Sequence, residues 1–424
     1  LIGCIVPRIV SHAKALRRQP PRVPARLDRL AAHASMTTSA SAAEVSQRAQ
    51  QWLTSHRYRF VVDDDGSLRA EAGRHRETGN LVFHIFLVFV LVGVGWNTLW
   101  GFKGTSVVVE GQGFSNSITQ YDEFKAGAMV DTDNLTPFSM KLRKFVVSFE
   151  TGTVQRGAAR SFDATVDLTM GGKTQTRDLQ VNHPLRIGST KVHLLGHGYA
   201  ADVVVRDGDG KVAYSGPVVF LPQDANFKSV GVIKAPDARP DRLAFQGFFL
   251  PTGAITAGGP TSLFPDALNP QLYLTAWYGK PTVETGVPSN IYTLDTTGLT
   301  QVTNGKDKAR FVLSPGQRYK LPDGKGSIQF NGWQRWAKIQ VSQNPGLPLT
   351  FLSVVLSVAG LCVSLFSRSR RVWVRTIPGD DGLRVEIGGL DRSDSRSGAV
   401  DDVNSLLAAL HGDSMSGDVG EEHS

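Results

Sequence analysis

Two stretches of the chain are apolar with no Lys, Arg, Asp or Glu. Residues 81–100 read LVFHIFLVFVLVGVGWNTLW and residues 349–366 read LTFLSVVLSVAGLCVSLF. About 20 apolar residues at 1.5 Å per residue cross a hydrocarbon core roughly 30 Å thick. Lipid offers no partner to a peptide group, so each stretch is predicted to be a spanning helix. Between them the pattern alternates. TSVVVEG (105–111), KFVVSFE (144–150), FDATVDLTM (162–170), KVHLLGHGY (191–199), ADVVVRD (201–207) and KVAYSG (211–216) predict short β-strands. Gly171-Gly172, Asp207-Gly208-Asp209-Gly210, Asp323-Gly324 and Asn331-Gly332 are the expected turns. The expected fold is a mainly β domain, sandwich- or barrel-like, tethered by two transmembrane α-helices. Residues 251–286 are aperiodic and Gly/Pro-rich, and predict a long loop or an insertion with a short helix.

The chain has 46 Lys+Arg against 38 Asp+Glu, a formal charge of +8. Its distribution points to a membrane surface instead of nucleic acid. Thirteen basic residues from Arg8 to Arg76 precede the first apolar stretch, and Arg368, Arg370, Arg371 and Arg375 follow the second. Positive flanks mark the cytoplasmic side, which makes residues 101–348 extracytoplasmic and the chain a multi-pass protein of the cell membrane. Residues 9–80 are then a cytoplasmic basic segment. Within it, 31–45 reads as a linker, 44–58 as a short amphipathic helix, and Asp63-Asp64-Asp65-Gly66 as a hairpin turn. Residues 367–424 are expected to be a cytoplasmic, largely disordered acidic tail, with a short helix near 403–410. LIGCIVPR (1–8) reads as the remnant of an upstream transmembrane helix, so the chain is expected to be a fragment.

Two cysteines, Cys4 and Cys362, exclude a disulfide scaffold, a Cys-rich zinc site and a C-x-x-C redox motif. No phosphate-binding, dinucleotide-binding, zinc-protease or serine-hydrolase motif is present. His84 is an ionisable residue inside the first apolar stretch. Such a residue is functional by default, and imidazole is an axial ligand of haem iron; a helix–helix or interfacial hydrogen bond is the alternative. His183, His193 and His197 form a second group, and strand alternation would place 193 and 197 on one side. Ordinary strand and turn histidines are the simpler explanation. Trp333 and Trp336, close before the second apolar stretch, read as anchors at the outer interface.

Several segments carry a family resemblance. RETGNLVFHIFLVFVLVGVGW, VEGQGFSNSITQYDEF, VNHPLRIGSTKVHLLGHGYA and NPGLPLTFLSVVLSVAGLCVSLFSRSRRVWVR occur in that order across nearly the whole chain. In order and spacing they resemble the ResB family of cytochrome c biogenesis proteins (system II). The resemblance implies a haem-handling subunit that works with a ResC/CcsA-type membrane subunit and with apocytochrome c. Such a complex moves haem to the outer face and joins it to the C-x-x-C-H thiols, so this chain is not expected to be an enzyme alone. His84 falls at the family's transmembrane histidine and is the expected haem contact; His183 falls in the central motif as a second one. A full ResB protein has four spanning helices, against two and a remnant here. The alternative function is a non-catalytic, membrane-anchored scaffold or adhesion domain, which leaves His84 unexplained.

Overall fold

The computed structural model describes residues 2–281, 292–380, 382–391 and 397–411. They form two units, one from residues 1–95 and 346–424, the other from 96–345. Five helices occur among the described residues: α1 (Ile2–Arg17), α2 (Ala42–Ser55), α3 (His75–Trp100), α4 (Leu347–Phe366) and α5 (Ser397–His411).

The first unit contains a five-stranded antiparallel sheet. Its order is Ala32–Thr38, Gly382–Asp391, Arg370–Gly379, Leu68–Ala72 and Arg59–Val62. It is therefore built from segments that precede α3 and segments that follow α4. The hairpin at residues 59–72 is as expected, with Gly66 in the left-handed conformation (φ 79°). The linker reading of 31–45 is corrected: Ala32–Thr38 pairs along its whole length with Gly382–Asp391. Its small residues conceal an alternation that buries Ala32 and Met36 on one face. Ser41 begins α2 through a reciprocal capping box with Glu44. Val45, Ala49, Leu53, Val403 and Leu406 then cover the sheet at Val385 and Ile387.

The disordered-tail expectation also changes. Residues 370–391 are strands and 397–411 a helix, while 412–424 lie outside the described residues. The acidic residues there are partners of the basic ones. Arg370 donates to Asp402 at 2.8 Å, Arg375 to Glu386 at 2.6 Å, and the buried Tyr58 hydroxyl also donates to Asp402 at 2.6 Å. Residues 2–8 of LIGCIVPR are the first half of α1, which continues through Pro7 to a basic end at Arg17, while Leu1 lies outside the described residues.

The second unit is β throughout except for the last turn of α3 and short 3-10 turns. Two 17-residue strands, Thr190–Arg206 and Ser327–Gln343, pair antiparallel at the middle of a twelve-stranded sheet. A four-stranded sheet of Gly113–Ser115, Ser139–Phe149, Ala159–Met170 and Lys173–Gln180 and two two-stranded hairpins make up the rest of its described strands. One core gathers around Tyr199, Phe220, Phe245 and Phe330, another around Phe114, Phe145, Val166 and Ile339. No barrel closes: the main sheet path ends at Leu299–Gln301 on one side and Glu123–Ala126 on the other. Asn331-Gly332 is not a turn but lies inside the strand Ser327–Gln343, at a bulge opposite Asp202 and Val203. Nor is the Gly/Pro-rich region a loop with a helix. Its described residues form a small hairpin (Gly253–Thr256 with Gly259–Ser262) and the strand Gln271–Gly279; residues 282–286 lie outside them.

Candidate functional site

Both α3 and α4 are long and apolar enough to cross a membrane. Little of their apolar surface is covered by the chain: Leu91 is 62% exposed and Phe351 69%. This pattern suggests a membrane protein, since the core helix of a soluble domain would be mostly covered. What the chain does cover is a seam of small residues. On α4, Thr350, Ser353, Ser357, Gly360 and Ser364 recur at steps of three and four, which is one face of a helix. A Cβ on Gly79 would lie 2.5 Å from Ser364 N, and one on Gly360 2.8 Å from Phe83 N. At the other end a Cβ on Gly93 would lie 2.9 Å from Thr350 N. The two helices thus run antiparallel with backbones in close approach, the arrangement small residues permit in lipid. Ser357 Oγ adds a hydrogen bond to Phe83 O at 3.3 Å.

His84 follows Phe83 but does not face this seam. At 3.6 residues per turn it projects roughly 140° away from Gly79 and roughly 180° from Gly93. Leu91 shares its face, as does Gly95, where an added Cβ would meet nothing within 4 Å. His84 Nδ1 lies 2.7 Å from Asn80 O. A carbonyl only accepts, so Nδ1 is the donor, and in the neutral imidazole Nε2 is the nitrogen that keeps a lone pair. A neutral imidazole with Nδ1 bonded to a carbonyl and Nε2 free is the donor chemistry an axial haem position requires. Among the described residues no cluster of three or more His, Cys, Asp or Glu could hold a bare metal ion.

The second histidine group does not assemble as strand alternation suggests. His183 is exposed, at a bridge to Gln180. His193 pairs with Gln340 and His197 with Ala337, but between them the register shifts at Leu194/Gly196. Leu195 is the extra residue of a bulge, and one extra residue exchanges the faces of everything beyond it. His197 therefore joins Val192 and Leu194 on the core side, and His193 points the other way.

His197 sits among rings. Its imidazole stacks on Phe227 at 4.7 Å between centroids, with Phe162 at 5.2 Å and Phe145 at 5.8 Å. Its Nδ1 is buried without a hydrogen-bond partner. Burial, reinforced by the nearby Arg335 charge, pushes this imidazole down to about 4.

The ResB-like family model matches residues 1–400. The chain belongs to the ResB-like family. Among curated relatives, a cytochrome c biogenesis protein CcsB of Synechococcus sp. strain JA-3-3Ab is 23% identical over 316 residues, covering 74% of this chain and 55% of that protein. CcsB of Microcystis aeruginosa is 21% identical over 332 residues, covering 78% and 60%. CcsB of Picosynechococcus sp. strain PCC 7002 is 28% identical over 136 residues, covering 32% and 27%. This ResB-like chain thus spans little more than half the length of the relatives it matches most fully. Against solved structures, the Salmonella secretin InvG covers 73% of this chain and 63% of its own at a TM-score of 0.08, which carries no argument.

The tryptophans of this ResB-like chain exchange the roles expected of them. Trp336 is buried, and its Nε1 donates to Tyr199 O at 3.0 Å and to Phe220 O at 3.2 Å. Gly198 makes room for its indole, since a Cβ there would lie 2.4 Å from Cζ2. Trp333 packs on Tyr199 at 5.3 Å. Trp336 is interior and Trp333 half-buried against the core, because the strand Ser327–Gln343 carries both into the sheet. The exposed tryptophans are Trp96 and Trp100, at the end of α3. Sequence reasoning missed Arg335. Its buried guanidinium lies 4.9 Å from the Tyr199 ring and 5.6 Å from Trp333, and donates to Asp266 at 2.7 Å. An arginine between two tryptophans in WQRW was the available signal.

Proposed function

We propose that this chain is the haem-handling subunit of a membrane complex that matures cytochrome c, and that His84 is its haem contact. The observation that carries the reading is the placement of His84: inside an apolar helix, turned away from the covered seam, with Nε2 free. Family membership and relatives named cytochrome c biogenesis proteins support it. The outward face of α3 around His84, Leu91 and Gly95 is where a ResC/CcsA-type subunit would pack and supply the facing ligand. Haem, when bound, supplies an iron centre for the imidazole and the vinyl groups that apocytochrome c thiols attack. The work of this chain is then to fix one imidazole. The Nδ1–H bond to Asn80 O selects the tautomer and sets the ring plane. The α3–α4 seam keeps α3 from turning.

On the same reading residues 101–348 are extracytoplasmic and meet apocytochrome c, while 9–80 and 367–424 are cytoplasmic. The sheet formed jointly by residues before α3 and after α4 supports this, because strands of one sheet lie on one side of a bilayer. His183 is a second, outer haem contact in this proposal, on an exposed turn.

The test is co-expression of the full-length gene with its partner, purification of the complex and an absorption spectrum. His84→Ala is expected to lower haem occupancy at least tenfold with the complex still assembled. An unchanged spectrum would sink the ligand assignment, and His183→Ala read in the same way decides the outer contact.

A further inference from the structure

We propose a second site, independent of haem: a basic cavity in the first unit that binds the phosphate of an anionic membrane phospholipid. The cavity, of about 380 Å³, lies where the end of α1, the first turn of α3 and the strand after α4 meet. Arg18, Arg74, Arg76 and Arg371 line it, against two acids, Glu71 and Glu77. Both acids are already engaged. Glu71 takes Arg74 at 3.3 Å and Arg371 at 3.9 Å, and Glu77 takes Arg8 at 4.0 Å. Arg18 and Arg76 have no acidic partner among the described residues, so the cavity wall is left with uncompensated positive charge. Arg76 stands in the first turn of a 26-residue helix, whose N-terminal N–H groups add to the same potential.

The apolar surroundings decide between a lipid and a free anion. α4 ends on Leu365 and Phe366, 69% and 84% exposed, three residues before Ser369 of the cavity wall. On α3 the apolar run begins at Leu81, five residues and roughly 7.5 Å beyond Arg76. On α1, Val6, Ile9 and Val10 are exposed. Inorganic phosphate would use only the arginines. A phosphate carrying acyl chains uses both the arginines and the apolar surface that starts beside them. Each basic residue at a membrane surface attracts anionic lipid by about 1 kcal/mol, or roughly fivefold.

The experiment uses the full chain in nanodiscs of phosphatidylcholine with or without phosphatidylglycerol, with retained lipid read by native mass spectrometry. Wild-type protein is expected to retain phosphatidylglycerol in preference to phosphatidylcholine. Arg18→Gln/Arg76→Gln should lose roughly 25-fold of that preference, while Arg18→Lys/Arg76→Lys and a control in the second unit, Arg177→Gln, keep it. Inorganic phosphate at the same concentration should not displace the lipid from wild-type protein, a measurement that needs no variant to fold. Equal preference in the glutamine variant overturns the site. Displacement by inorganic phosphate overturns the lipid and leaves a free-anion site.

Discussion

Burial and the Arg335 charge hold the His197 imidazole at about 4, against 6.5 for an ordinary histidine. Above pH 6.5 it is neutral whether the chain is folded or not, and contributes no pH dependence. As pH falls from 6.5 towards 4 the unfolded chain takes up a proton that the folded chain refuses, so stability declines through that window. The full difference corresponds to about 3 kcal/mol, reached only below pH 4. His197→Phe fills a site already walled by Phe145, Phe162 and Phe227, and removes the buried unpaired Nδ1. Thermal unfolding of the full protein between pH 7 and pH 4.5 should fall less steeply in the variant. An unchanged slope would assign the acid sensitivity elsewhere. At this scale the sequence was legible where one residue broke a pattern, as His84 breaks an apolar run. It was not legible at His193 and His197, because a bulge costs one residue and changes every orientation after it without a composition signal of its own.

Elements were easier to read than their partners. Both long apolar helices and most strands of the second unit follow from continuous and alternating apolar patterns, since these are local. The small-residue face of α4 is written at steps of three and four, but only the fold shows that it meets Gly79 and Gly93. Gly360→Val is expected to force the helices apart, because its side chain would meet Phe83 N and Gly79 O, neither of which can rotate away. Overpacking of this kind costs about 1–3 kcal/mol. A lowered unfolding temperature is the readout, and Gly95→Val, which faces open space, is the control that should not move. Misread elements share one cause. Asn331-Gly332, Trp333 and Trp336 were judged on local chemistry, whereas a 17-residue strand running through all of them set their environment.

At the scale of the whole molecule the formal +8 conceals an exchange of charge within one unit. The basic residues after α4 bond to acidic residues further along, so a segment that reads as a polar tail is two strands and a helix. Composition cannot reveal this, because the strands that order the segment pair with Ala32–Thr38 and Leu68–Ala72, roughly 300 residues earlier, and leave no local trace. The five-stranded sheet makes a direct prediction. A chain ending after Phe366 loses two strands and α5, and both remaining sheet fragments lose their central partners. Residues 18–72 should then become sensitive to limited proteolysis, while residues 101–345 keep their resistance. Protection of 18–72 in the shortened chain would show that it folds without the later strands.

That sheet also fixes an order of events during synthesis. Leu68–Ala72 emerges from the ribosome roughly 300 residues before Arg370–Gly379, its neighbour in the sheet. At about 5–20 residues per second the earlier strand waits roughly 15–60 s. During that interval Ala32–Thr38 and Leu68–Ala72 present open edges to whatever holds nascent chains. The sheet closes only once α4 has been made, so its completion reports that the whole intervening chain has been synthesised.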